Sequence, residues 1–169
     1  QTLAKMGQTR SSVQVLEQAL PSAGRDAELL AGIANVMLEL GDEGRSLSMM
    51  RTLLAQTPKP DQGLLVQYAG LLLKSRQDVE LAAQLRQLYA QPLTPAQRKD
   101  VDEIRWVYSV RQTDVQREAG NFSSAYEIAA QLLSERPNDI PAQQALARLY
   151  SSAGEHNRAL SWYHQILQM

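Results

Sequence analysis

Gly7 and Gly41 stand 34 residues apart, and so do Gly120 and Gly154. A glycine returning at this interval marks a repeated supersecondary unit, and about 34 residues is the length of two short helices with their turns. One helical hairpin cannot enclose its own apolar face, so such a chain gains stability by stacking each unit on the next. The glycines also fit the turn between the two helices. The residue just past a helix end favours positive φ, which glycine adopts without a Cβ penalty. The expectation is an all-α solenoid of about four and a half helix-turn-helix repeats.

The apolar pattern supports each hairpin. In the last repeat, Asp139 can cap helix A and Pro141 sits in its first turn, where a missing N–H costs nothing. Leu146, Leu149, Tyr150 and Ala153 follow at helical spacing, and Ala159, Leu160, Tyr163, Ile166 and Leu167 mark helix B. The preceding helix B carries Ala125, Ala129, Leu132 and Leu133, with Asn121 as expected N-cap and Pro137 as stop. Ala125 and Ala159 each lie five residues after a glycine and let two helices approach closely. Around Gly41, Leu30, Ile33, Ala34 and Met37 face Leu47, Met50, Leu53 and Leu54, with Asp42 as cap. The Gly7 repeat reads as truncated, with only the last turns of its helix A followed by a helix B of Val13, Leu16, Ala19 and Leu20.

Between Gly41 and Gly120 lie two periods and eleven extra residues. A repeat without its glycine fits there, its turn near 75–78. The surplus follows it: Thr94 and Gln97 form a capping box around Pro95, and nothing breaks the helix before Gly120. That helix should run about 24 residues, roughly 36 Å. The organisation read from this is repeats over 1–91, then an overlong helix and two repeats over 92–169, with a bend near 91–95. Both termini read as boundaries within a longer protein.

Other classes of function find little support. Seventeen basic and eighteen acidic residues nearly cancel, so nucleic acid is not an expected partner. No apolar run of about 18 residues offers a membrane span. Cysteine is absent. There is no His-Glu-x-x-His, Gly-x-Ser-x-Gly or phosphate-cradling loop. His156 and His164 are eight residues apart on one helix and off a shared face, so no metal or cofactor is expected. Glu39, Asp42 and Glu43 read as a cap with solvated charge.

The run Ala145-Leu146-Ala147-Arg148-Leu149-Tyr150, then Ala153-Gly154-Glu155 and Arg158-Ala159-Leu160, resembles the tetratricopeptide repeat family. The resemblance implies a right-handed superhelix whose helix A residues line a groove for peptides or protein segments. In that register the inward positions are Glu28, Ala31, Asn35, Leu38 and Glu39, then Gln62, Leu65, Ala69, Leu72 and Leu73. They continue with Val107, Val110, Asp114, Arg117 and Glu118, then Pro141, Gln144, Arg148, Ser151 and Ser152. Asn35, Asp114, Arg117, Gln144 and Arg148 are the candidate partner contacts. A chaperone-tail clamp is disfavoured, because Leu65 and Val66 stand where further Lys and Asn would be needed. No aromatic falls on these positions, so polysaccharide contact ranks below protein contact. Trp106 and Tyr108 lie on the overlong helix, with burial the expectation for Trp106. Trp162 and Tyr163 are expected against a following repeat.

A narrower resemblance rests on Leu93-Thr94-Pro95-Ala96-Gln97, Tyr108-Ser109-Val110-Arg111-Gln112 and Arg117-Glu118-Ala119-Gly120-Asn121-Phe122. This wording is similar to the periplasmic repeat regions of the cellulose-synthase C subunits and related exopolysaccharide exporters. It implies a non-enzymatic periplasmic scaffold that meets other subunits of a synthesis and export complex. A generic peptide-binding adaptor, or a repeat module that senses a peptide, is the alternative.

Overall fold

The computed structural model describes residues 27–169, together with 14, 15 and 18, of the 169-residue chain. Gly7 lies outside the described residues, and of the helix expected after it only 14, 15 and 18 are described, all helical. From residue 27 onward there are eight helices and no strands. They are α1 (Ala27–Glu39), α2 (Glu43–Gln56), α3 (Gln62–Lys74), α4 (Asp78–Tyr89), α5 (Pro95–Glu118), α6 (Phe122–Glu135), α7 (Ile140–Ser152) and α8 (His156–Leu167). They form four hairpins: α1/α2, α3/α4, α5/α6 and α7/α8. Two compact units divide after Val101, inside α5.

Every hairpin turn is built the same way. Gly41, Gly120 and Gly154 have φ of 86°, 78° and 80°. Each donates its N–H to the carbonyl three residues back, and the next residue reaches back five, as Asp42 does to Met37 (2.9 Å) and Glu155 to Tyr150 (2.8 Å). These paired bonds satisfy carbonyls at the helix end that have no partner within the helix. That next residue is also the N-cap of helix B, its carbonyl accepting the first helical bond from Ser46, Ala125 or Ala159. One glycine therefore closes one helix and opens another.

The hairpin lacking a glycine has the same turn, made by Arg76 at φ 55°. Arg76 donates to Leu73 and Gln77 to Leu72 (2.9 Å), matching the other three turns. This corrects the expected register of α3 by one residue. Counted back from Arg76, the helix A positions are Gly63, Val66, Gly70, Leu73 and Lys74. The expected Leu65, Ala69 and Leu72 are buried in the core, whereas Gly63, Gly70, Leu73 and Lys74 are at least partly exposed. Without a glycine to anchor the count, the apolar run of α3 admits either phase.

The caps follow the sequence in most places. Asp42, Asp61 and Asp139 accept from Arg45, Leu64 and Ala142 N–H groups. Thr94 and Gln97 exchange backbone-to-side-chain bonds at 3.1 and 3.2 Å, opening the 24-residue α5. Asn121 holds the N-cap position but its side chain makes no cap bond and donates to Gln116 Oε1 instead (3.0 Å).

Within a hairpin the helices cross at small residues. Seven positions before each turn residue stand Ala34, Ala69, Thr113 and Ala147, all without exposure. Five after it stand the small Ser46, Ala125 and Ala159, with a larger buried Leu81 at the α3/α4 crossing. The α1/α2 crossing is close enough for Ser46 Oγ to donate to the Ala34 carbonyl at 2.6 Å. In the first unit, Ile33 and Met37 pack with Leu30 and Met49, and α3 packs on both α1 and α2. In the second unit, Ala125, Ala129, Leu146 and Leu149 form one cluster, and Trp106, Leu132 and Ala142 another. Trp106 is buried, with the Arg136 guanidinium 4.1 Å from its ring centre. Trp162 packs on the Ala125–Leu149 cluster of its own unit, and Tyr163 is exposed. The sequence places both rings toward a following repeat; Trp162 also packs on its own unit.

Candidate functional site

Helix α5 and helix α7 are successive A helices, and the 34-residue period sets Asp114 beside Arg148. Arg148 donates from Nε to Asp114 Oδ1 (2.9 Å) and from Nη2 to Oδ2 (2.6 Å). A two-pronged guanidinium–carboxylate pair fixes orientation as well as distance. One turn further along α5, Arg117 donates to Asp114 Oδ1 (3.2 Å), to Glu118 Oε1 (2.9 Å) and to Ser152 Oγ of α7 (3.2 Å). Three of the five expected contact residues thus meet in one network. Asp114 is three-quarters covered, and Arg148 keeps 40% of its side chain exposed.

The charges in the network balance: two arginines face Asp114 and Glu118. Burial pushes the Asp114 carboxyl up, but the Arg148 and Arg117 hydrogen bonds and charges outweigh it and hold the group below its ordinary value. The Asp114 hydrogen bond raises Arg148 against the opposing effect of burial. The network therefore joins two adjacent A helices and presents a polar face, one turn from exposed Gln144. Asn35 lies half-buried on α1, in the first unit.

A second polar cluster, in the first unit, was not foreseen. Arg51 of α2 donates to Glu80 Oε2 of α4 (2.5 Å), and the Tyr68 hydroxyl of α3 donates to Glu80 Oε1. Arg51 Nε also reaches the Tyr68 hydroxyl (3.3 Å). The Arg51 hydrogen bond lowers the Glu80 carboxyl, against burial. The three residues come from three helices, and no local motif announces them.

The second unit also has a cleft of about 350 Å³ where α6, α7 and α8 meet. Its walls include Phe122, Tyr126 and Tyr150. These rings lie off the helix A positions read as groove-lining, which is why the sequence reading passed over them. His156 and His164 are both exposed, and no group of three potential metal ligands occurs among the described residues. No helix among the described residues is long and apolar enough to cross a membrane.

Comparison with known proteins agrees with this architecture. A match to the family described as Tetratricopeptide repeat covers residues 116–168. The chain is 39% identical over 163 residues to Cellulose synthase operon protein C of Xanthomonas axonopodis pv. citri, covering 96% of this chain and 11% of that protein. It is 33% identical over 167 residues to the protein of the same name from Pseudomonas fluorescens, covering 98% of this chain and 13% of that one. The chain thus spans about an eighth or less of these relatives' lengths. Among solved structures, MamA AMB-1 is similar with a TM-score of 0.59 at 18% identity, covering 99% of this chain and 92% of that one. A further MamA crystal structure gives a TM-score of 0.60 at 12% identity, covering 96% and 89%. At such identity the likeness concerns the fold. Turn geometry, helix pairing and these matches together make the chain a tetratricopeptide repeat protein, all-α and similar in sequence to cellulose synthase operon protein C.

Proposed function

We propose that this chain is a non-catalytic interaction scaffold, the periplasmic repeat part of a bacterial cellulose or exopolysaccharide synthesis and export complex. The observation that carries this reading is the similarity across nearly the whole chain to proteins named for the cellulose synthase operon. Stacked hairpins supply a stiff surface of repeated side chains, suited to holding other subunits at fixed spacing. The partner-facing residues in this reading are Gln144 and Arg148 on α7, Asp114 and Arg117 on α5, and Asn35 on α1.

The test is retention of purified proteins encoded beside the relatives in the cellulose synthase operon on the immobilised 169-residue chain. At least one should be retained, and Arg148→Glu should weaken that retention about tenfold, as expected for a charge reversal in an interface. Failure to retain any of them would refute the scaffold reading. Retention of an extended peptide alone would favour the peptide-sensing alternative.

A further inference from the structure

The aromatic cleft departs from the repeat in a way that stacking does not require. Its three rings occupy defined register positions: Phe122 is two after a turn glycine, Tyr126 six after, and Tyr150 four before the next. At the first junction the same positions hold Glu43, Leu47 and Leu72; at the second they hold Asp78, Ala82 and Gln116. Six after the other turns, Leu47 is buried, Ala82 half-buried and Leu160, at the last turn, exposed; Tyr126 is 49% exposed and Phe122, an aromatic where the others hold polar residues, is 38% exposed. The chain has nine aromatic residues in all, and three line this one cleft.

The rings are held in place. Phe122 and Tyr126 lie one helical turn apart on α6, and neighbours at that spacing share a face. Tyr126 meets Tyr150 edge-on, with centres 6.4 Å apart and planes at 62°. Arg158 lies 5.6 Å from the Tyr150 ring centre and is paired with Glu155 at 2.8 Å. Glu127 stands one residue beyond Tyr126 on the same rim.

Exposed rings beside carboxylates and a guanidinium suit one ligand chemistry. A pyranose presents a face of C–H groups that stacks on an aromatic ring, and an edge of hydroxyls that both donate and accept. Carboxylates accept from those hydroxyls, and the guanidinium donates to them. In a β-1,4-linked glucan the hydroxyls are equatorial, so both faces of the ribbon stay apolar. A volume of about 350 Å³ falls in the range of ligand clefts, roughly 300–1,000 Å³. An amphipathic helix would want a continuous apolar trough, and this rim is ionic. We propose that the cleft binds a β-linked glucan, sugar rings stacking on Phe122 and Tyr126 and hydroxyls bonding to Glu127 and the Glu155–Arg158 pair. This rests on the reading that the chain works beside an exported polysaccharide.

The test is aromatic ¹H–¹³C NMR of the 169-residue chain titrated with cellohexaose. The Phe122, Tyr126 and Tyr150 signals should shift saturably, and maltohexaose, with α-linkages, should shift them far less. Tyr126→Ala should weaken binding about tenfold, as for a central aromatic contact, and Tyr126→Phe should retain it. Phe122→Ala serves as a second truncation, and Leu160→Ala, exposed on α8 and outside the cleft, should leave binding unchanged. No shift with cellohexaose, equal shifts with maltohexaose, or shifts surviving both truncations would overturn the proposal. Shifts with decaproline but not cellohexaose would assign the cleft to peptide and also overturn it. Because the scaffold reading is tested by protein retention, a chain that retains its partners but ignores cellohexaose would lose this inference alone.

Discussion

The same substitution, glycine to alanine, should move stability in opposite directions at Gly120 and Gly70. A Cβ at either position meets no atom within 4 Å, so neither change alters packing. What differs is the backbone. Gly120 sits at φ 78°, whereas Gly70 lies inside α3. A left-handed conformation costs an L-residue about 1–2 kcal/mol. Alanine also restricts the unfolded chain, which returns about 0.4–1 kcal/mol. Gly120→Ala should therefore destabilise by up to about 1.6 kcal/mol. Gly70→Ala meets no such penalty and should stabilise by about 0.5–1 kcal/mol, as alanine does in a helix interior. Asparagine tolerates the left-handed region, so Gly120→Asn should fall between glycine and alanine. Each kcal/mol moves Tm by about 2–4 °C in a chain of this size. Trp106 and Trp162 both lie in the unit that contains Gly120, so their fluorescence reports its unfolding, while far-UV circular dichroism follows Gly70→Ala. Shifts of the same sign, or asparagine doing worse than alanine at 120, would refute the account of the turn.

Three further outcomes are expected. Arg76→Gly relieves a left-handed non-glycine residue but loosens the unfolded chain, and should be neutral to stabilising by about 0–1 kcal/mol, whereas Arg76→Val should cost about 1 kcal/mol or more by urea denaturation. Asp114→Asn should destabilise at pH 7. Because the native carboxyl is held below its ordinary 3.8, its contribution is present above that pH and lost as pH falls through the lower native value, so the Tm gap between variant and parent should close on acidification. Ser46→Leu should cost about 1–3 kcal/mol by overfilling the α1/α2 crossing, while Ser46→Ala should cost less than about 1 kcal/mol, both measurable by thermal melting.

What was legible in the sequence was what a single hairpin determines. A turn glycine, an acidic cap and a proline in a first turn act within a few residues, so the turns at Gly41, Gly120 and Gly154, the caps at Asp42 and Asp139, and the start and length of α5 could all be read directly. Where one of these local signals was missing, the reading slipped. Arg76 performs the glycine's task without a glycine's name, and α3 was counted one residue early as a result. Interactions between hairpins were harder. The Asp114–Arg148 pair links residues one period apart, and opposite charges at that separation on successive A helices could have suggested it. The Arg51–Tyr68–Glu80 cluster joins three helices at unequal spacing, so only the packed structure reveals it.

A repeat protein provides its own controls, and they bear on function as well as folding. Positions seven before each turn residue hold Ala34, Ala69, Thr113 and Ala147, small and wholly covered, because the crossing of two helices admits nothing larger. Such a position is explained by stacking alone. Six before the turn, the residues are Asn35, Gly70, Asp114 and Arg148, a sequence that stacking does not explain. Only Asp114 and Arg148 reach each other, so the polar face they make is particular to one junction. The ring positions at the α6–α7 junction depart further, since Tyr126 takes the slot of a covered leucine and gives up half of that cover to solvent. Exposing an aromatic ring forgoes burial worth about 25 cal/mol per Å². Two bulky rings left half open to solvent on one wall, where the first junction holds a charge and a covered leucine, point to selection by something outside the stack. By that criterion the junction of α6 with α7 and α8 has the strongest claim to a function of its own, ahead of the A-helix face alone.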